Sequence, residues 1–213
     1  MKFIFIHGWG FSKNIWKDYF YLDNAIFLDL PSHGESKESY ISLDNYVKKI
    51  SSSITEPTTI VGWSVGSSIA VLIALQNPNI EKLILIGFSP KFNDEKFGSD
   101  PKTVKAFMYN LNRDFENTVF NFRKVAGERD FDCPLPEREG AIKLLKDYIN
   151  LDLSDAIKDI KQKTFLIHGI NDKIVNMNAA LFCKEKIVNS EVVLLTSHHI
   201  PFIEWNIFEL IGE

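Results

Sequence analysis

The amino-acid sequence predicts an α/β fold: about six mostly parallel strands with helices on both faces. Short runs of apolar and β-branched residues recur along the chain without the apolar/polar alternation of a half-exposed strand, so each is suited to burial on both faces. Amphipathic helical patterns alternate with these runs. Most of the runs open into turns rich in Gly, Pro, Asp and Ser, the chemistry of loops at a strand end.

Taken in order, Phe3–Ile6 is a strand running into His7-Gly8-Trp9-Gly10, and Ala25–Asp29 is a second running into Leu30-Pro31-Ser32-His33-Gly34-Glu35-Ser36. Between them Ile15, Trp16, Tyr19 and Phe20 have helical spacing. Ser42 can cap a helix in which Leu43, Tyr46, Val47, Ile50 and Ile54 recur at three- and four-residue steps until Pro57 stops it. Thr58–Val61 is the third strand, the helix after Ser64 closes at Asn77-Pro78, and Lys82–Gly87 is the fourth strand.

After Phe88-Ser89-Pro90 the texture changes. Residues 91–152 hold no strand-like run but carry helical patterns (Val104, Phe107, Met108, Leu111; then Ile142, Leu145, Ile149). This stretch is expected to be a helical lid inserted above the carboxyl ends of the strands, forming one wall of a pocket, with 1–90 and 153–213 as the core. The alternation resumes with a short helix over Ser154–Ile160, a strand over Lys163–Gly169, a helix over Asn178–Lys186, a strand over Val192–Thr196 and a last helix near Phe202–Ile211.

Composition narrows the function. Of 213 residues 45% are apolar and 24% charged, ordinary values for a globular domain, and the formal charge of −4 comes without any Lys/Arg run that would mark a nucleic-acid or membrane partner. No apolar stretch approaches the roughly 20 residues of a bilayer span. The opening Met1–Gly8 lacks a secretory pattern, so a cytoplasmic protein is expected. Cys133 and Cys183 are far apart and have no metal-type spacing, which argues against a disulfide framework or a zinc site.

The chemistry centres on Gly62-Trp63-Ser64-Val65-Gly66, set between a strand and a helix. A serine on such a sharp turn is lifted clear of the sheet, and the following helix aims its first amides at the same point. Serine is a weak nucleophile at its own pKa and needs a base and a group to orient it. Asp172 follows the fifth strand and either His198 or His199 follows the sixth, giving the order Ser, acid, His at one sheet edge. Val65 N–H supplies one oxyanion donor, and Trp9 in the loop after the first strand the other. Trp9 and Trp63 are candidates both for core packing and for substrate contact, and Phe120 is a further substrate-contact candidate in the insertion. His7 and His33 read as loop braces. This chemistry needs no metal or organic cofactor.

His7-Gly8-Trp9-Gly10, Asp29–Ser36, the Ser64 pentapeptide and His168-Gly169-Ile170-Asn171-Asp172 together resemble the α/β-hydrolases. Within them the chain is similar to the pimeloyl-acyl-carrier-protein methyl ester esterases of biotin synthesis, in Gly62-Trp63-Ser64, Ser89-Pro90 with Phe92, and His199-Ile200-Pro201-Phe202. The resemblance implies His199 as the base, strand order 2-1-3-4-5-6, and hydrolysis of a methyl ester on an acyl chain borne by acyl carrier protein. The chain opens directly at the strand before His7, without the amino-terminal hairpin usual in that family; Ser32 and Ser67 stand where glycine is common. Basic residues of the insertion, among them Arg113, Arg123, Lys124, Arg129 and Arg138, would form the dock for an acidic carrier, although acids nearly balance them. A generalist carboxylesterase or thioesterase, a carbon–carbon bond hydrolase and a non-catalytic binding module are the alternatives.

Overall fold

The computed structural model describes residues 2–19, 22, 24–127, 131 and 133–212; Phe20 and Arg129, named above, lie outside them. Six strands form one sheet: β1 (Lys2–Ile6), β2 (Ala25–Leu28), β3 (Thr58–Trp63), β4 (Ile80–Ile86), β5 (Lys163–Gly169) and β6 (Ser190–Leu195). Their order is β2-β1-β3-β4-β5-β6 and every pairing is parallel, as the sequence predicts. The consequence for function is geometric: all six carboxyl ends emerge at one edge, bringing residues 7–10, 64, 87, 172 and 199 to neighbouring loops.

Among the described residues seven α-helices accompany the sheet: α1 (Leu43–Ser53), α2 (Val65–Ala74), α3 (Pro101–Arg113), α4 (Phe115–Gly127), α5 (Arg138–Asn150), α6 (Asn178–Lys186) and α7 (Ile207–Ile211). Ser42 caps α1 by accepting the Asn45 amide at 3.1 Å, and Asp100 caps α3 ahead of Pro101. Helix α2 is apolar all round because it packs between the sheet and α1, and nearly all of its residues are buried. Two expected helices are shorter than their patterns suggested. Residues 154–160 make only a 3₁₀ turn at Ala156–Asp159, and the last helix is split into a 3₁₀ turn at Pro201–Ile203 and α7. Residues 13–19 are likewise 3₁₀.

Helices α3, α4 and α5 lie between β4 and β5 in the chain and come against the loops at the carboxyl edge. Helix α5 seats on two of those loops: Ala141 C=O accepts the Trp9 indole N–H at 2.8 Å, and Glu137 N–H donates to Ser32 C=O at 2.7 Å. A Cβ at Gly140 would sit 2.0 Å from Ser32 Oγ, so only glycine permits that approach. Among the described residues no helix is long and apolar enough to cross a membrane.

Candidate active site

Ser64 is the residue between β3 and α2, with φ 55° and ψ −123°. A side-chain-bearing residue in that region stores strain, of the order of 1–3 kcal/mol, which the flanking elements must hold in place. They do so through glycines. A Cβ on Gly62 would lie 2.5 Å from Gly66 O, and one on Gly66 would lie 2.1 Å from Ile6 O. The turn therefore closes only because strand, helix and the end of β1 approach without side chains between them. Gly66→Ala is expected to destabilise the fold by about 3 kcal/mol through this overpacking, measurable as a lowered urea midpoint. Ser67 adds a clamp that glycine cannot: its hydroxyl donates to Gly62 O at 2.7 Å and accepts the Ile86 amide at 3.1 Å, while Ser64 N–H donates to Ile86 O at 2.8 Å.

Asp172 sits in the turn after β5. Its Oδ1 accepts the amides of Ile174 (2.8 Å) and Val175 (3.0 Å), which leaves Oδ2 for His199 Nδ1 at 2.7 Å. Burial by itself would raise the carboxyl pKa, but the His199 pair and these amides outweigh it and hold Asp172 below the ordinary value of 3.8. Being ionised, it accepts Nδ1–H and directs Nε2 of His199 to be the basic nitrogen. That Nε2 is buried and makes no hydrogen bond among the described residues, so the Ser64–His199 bond is unmade in this structure. His198 instead has its Nδ1 3.7 Å from Glu204 and its side chain is partly exposed.

Trp63 connects the two ends of this arrangement. It precedes Ser64, its indole N–H donates to His199 C=O at 2.7 Å, and its ring centroid is 5.6 Å from that of His199. It also packs edge-on against Phe11 and Phe202 in the core. Gly87, at φ +56°, is needed here as well, because a Cβ there would lie 2.9 Å from His199 Cε1.

The loop after β1 is braced by histidines. Leu30 N–H donates to His7 Nε2 at 3.0 Å, so His7 carries its proton on Nδ1 and donates it to Gly8 O at 2.7 Å. In a trans peptide the N–H points opposite the C=O, so anchoring Gly8 O fixes the direction of the Trp9 N–H. His33 is kept neutral by burial, with a pKa pushed down to about 3, and the nearby His7 adds to the shift. Its Nε2 accepts the Gly10 amide at 3.1 Å and its Nδ1–H donates to Pro31 O at 2.9 Å. Ser32 takes φ 63° in this loop, which explains why glycine suits the position. Neither the Trp9 nor the Val65 amide donates a backbone hydrogen bond among the described residues.

A cavity of about 490 Å³ opens beside this loop, with Phe92, Val104, Phe107, Phe122 and Ile174 as apolar wall and Arg113 and Lys173 among its polar residues. Ser64 and His199 do not line it and both are buried; the link is Trp9, whose ring packs on Phe107 (5.8 Å) and Phe122 (5.4 Å). Phe120 is 49% exposed and outside the cavity; Phe107, read from the sequence only as part of a helical pattern, and Phe122, which the sequence does not mark out, take the inward positions. Arg123 requires correction as a docking residue: its side chain is fully buried, so it presents no charge to a carrier.

Comparison with known proteins is consistent with this geometry. An alpha/beta hydrolase family model matches residues 3–205. The chain is 30% identical to the pimeloyl-[acyl-carrier protein] methyl ester esterase of Nitrosospira multiformis, covering 95% of this chain and 89% of the relative, and 28% identical to the enzyme of that name from Nitrosomonas europaea, with 95% and 90% covered. Among solved structures, an esterase from Exiguobacterium antarcticum superposes with TM-score 0.88 at 20% identity (100% and 90% covered), and the enol-lactonase of Burkholderia xenovorans with 0.83 at 15% (99% and 91%), which speaks to the fold alone. With its matched length, sheet order and strained serine turn, the chain belongs to the alpha/beta hydrolase family.

Proposed function

We propose that this protein is a serine esterase that hydrolyses the methyl ester of a pimeloyl chain carried by acyl carrier protein, a cytoplasmic step of biotin synthesis. The observation that carries the catalytic part is the 2.7 Å His199–Asp172 pair, which leaves an unpaired Nε2 on a ring packed against the residue preceding Ser64. In the proposed cycle His199 Nε2 takes the proton of Ser64 Oγ as the oxygen attacks the ester carbonyl. The oxyanion is held by the Trp9 and Val65 amides, each worth about 3 kcal/mol in the transition state. Methanol leaves with the proton from His199, and water repeats the sequence on the acyl-enzyme.

The substrate assignment rests on the names of the relatives, on an identity that reaches 30% over nearly the whole chain, and on the aromatic cavity beside Trp9. In this reading α3 and α4 are the lid, and displacement of Phe107 and Phe122 from Trp9 opens a path from the cavity to Ser64. Arg113, at the carboxyl end of α3 and on the cavity lining, is the residue through which an acidic carrier is steered.

The test compares pimeloyl methyl ester on acyl carrier protein with nitrophenyl esters of two to eight carbons. Carrier ester turnover with a higher kcat/KM than any small ester supports the assignment. Small-ester turnover without carrier-ester turnover makes the protein a generalist esterase. Arg113→Glu is expected to lower kcat/KM for the carrier ester about tenfold by weakening electrostatic steering, with small-ester turnover unchanged.

A further inference from the structure

The described part of the insertion sends one charged side chain into the interior. Arg123 on α4 is 1% exposed, and its guanidinium donates through Nε to Gly10 O, through Nη1 to Cys133 O and through Nη2 to Pro134 O, each at 2.7 Å. It also lies over the rings of Phe11 (5.6 Å) and Phe120 (5.9 Å). Guanidinium stays charged in proteins, so burying it on neutral carbonyls is a costly arrangement that persists only where several good hydrogen bonds compensate it. Hydrocarbon would fill that space at lower cost. The three carbonyls it joins belong to two different segments, and one of them is in the oxyanion loop.

Three successive peptide units of that loop are each anchored by a different side chain. His7 holds Gly8 C=O, His33 holds Gly10 N–H, and Arg123 holds Gly10 C=O. The histidines belong to β-strand loops of the sheet; Arg123 alone belongs to α4. Gly10 itself is at φ +79°, has no side chain to restrain it, and follows Trp9 directly. Without Arg123 the Gly10–Phe11 peptide keeps only the long 3.4 Å contact from Phe11 N–H to Gly8 O to fix its plane.

We propose that Arg123 is a positioning residue for ester hydrolysis: by gripping Gly10 C=O it ties the seating of α4 to the alignment of the Trp9 oxyanion donor. This rests on the serine esterase reading. His7 sets the Trp9 N–H through Gly8 O, and Arg123 holds the Gly10–Phe11 peptide that continues the same loop, so docking of α4 and final alignment of the oxyanion site are coupled. Since Trp9 N–H acts on the transition state rather than on bound ester, misalignment falls on kcat and spares KM.

The test uses Arg123→Lys and Arg123→Ala in the full chain, with nitrophenyl butyrate as substrate. Lysine keeps the charge and stem but is a point donor that cannot serve three carbonyls in a fork. Both variants are expected to lose about 30-fold in kcat, less than the roughly 10²–10³ that removal of a whole oxyanion donor costs because the donor is misaligned and not deleted, with KM within about twofold. Affinity for a trifluoromethyl ketone, which forms the tetrahedral adduct, should fall by the same factor, while affinity for the product acid stays unchanged. Guanidinium ion, at a concentration that leaves wild type folded, should restore part of the Arg123→Ala rate where sodium does not. Folded Arg123→Lys with wild-type kcat, or losses shared equally by KM and product affinity, would overturn the inference while leaving the esterase reading intact; if Arg123→Ala does not fold, the lysine variant decides alone. Wild-type protein that neither hydrolyses the ester nor binds the ketone overturns the esterase reading itself.

Discussion

Ser64→Ala is expected to reduce ester turnover about 10⁶-fold, the loss typical when a triad nucleophile is deleted, and to abolish covalent labelling by a fluorophosphonate. The reason is specific to this turn. Ser64 is held at φ 55° between Gly62 and Gly66, and the hydroxyl of nearby Ser67 is committed to Gly62 O and the Ile86 amide. Alanine occupies the same backbone, so the variant should fold with an unchanged urea midpoint. Retained labelling in that variant would point to a different nucleophile and end the triad assignment.

Asp172→Asn is expected to lower kcat about 10⁴-fold, because an amide presents an N–H where His199 Nδ1 needs an acceptor and favours the wrong tautomer. The Ile174 and Val175 amides continue to hold the side-chain carbonyl, so the turn itself should survive. The same carboxylate has a signature in the wild-type protein. Its folded pKa lies below the ordinary 3.8, so it contributes stability that is fully present above that value and is lost as pH falls through the lower folded value. Denaturant midpoints measured from pH 6 downward should fall less steeply in Asp172→Asn than in wild type below about pH 4. Identical acid slopes would show that the pair does not bias folding.

Much of the architecture was legible because it is set by local pattern and backbone geometry. Doubly buried strands announce themselves as unbroken runs such as Leu83–Ile86, right down to the strand order once the family resemblance was included, and the glycines around Ser64 mark a turn that few other residues could make. Boundaries were less legible. Residues 154–160 and 202–211 have helical spacing, but the chain turns too soon for more than short 3₁₀ and α segments.

What the sequence by itself determined was the class of fold and the set of chemical groups delivered to one sheet edge, since a parallel sheet sends every strand-end loop there whatever the side chains do afterwards. The tertiary structure alone decided which of several equivalent residues turns inward. Phe120 and Phe122 are two residues apart on α4, which at about 100° per residue puts them on opposite faces; Phe122 meets Trp9 and Phe120 meets solvent. Arg123 reads as a surface charge until α4 is seated on Gly10, and strand order alone leaves His198 and His199 equivalent; the ring within 2.7 Å of Asp172 is that of His199, the one the family resemblance implies. Those choices depend on long-range packing between segments more than 100 residues apart in the chain, such as Arg123 with Gly10 and His199 with Trp63, and no local periodicity encodes them.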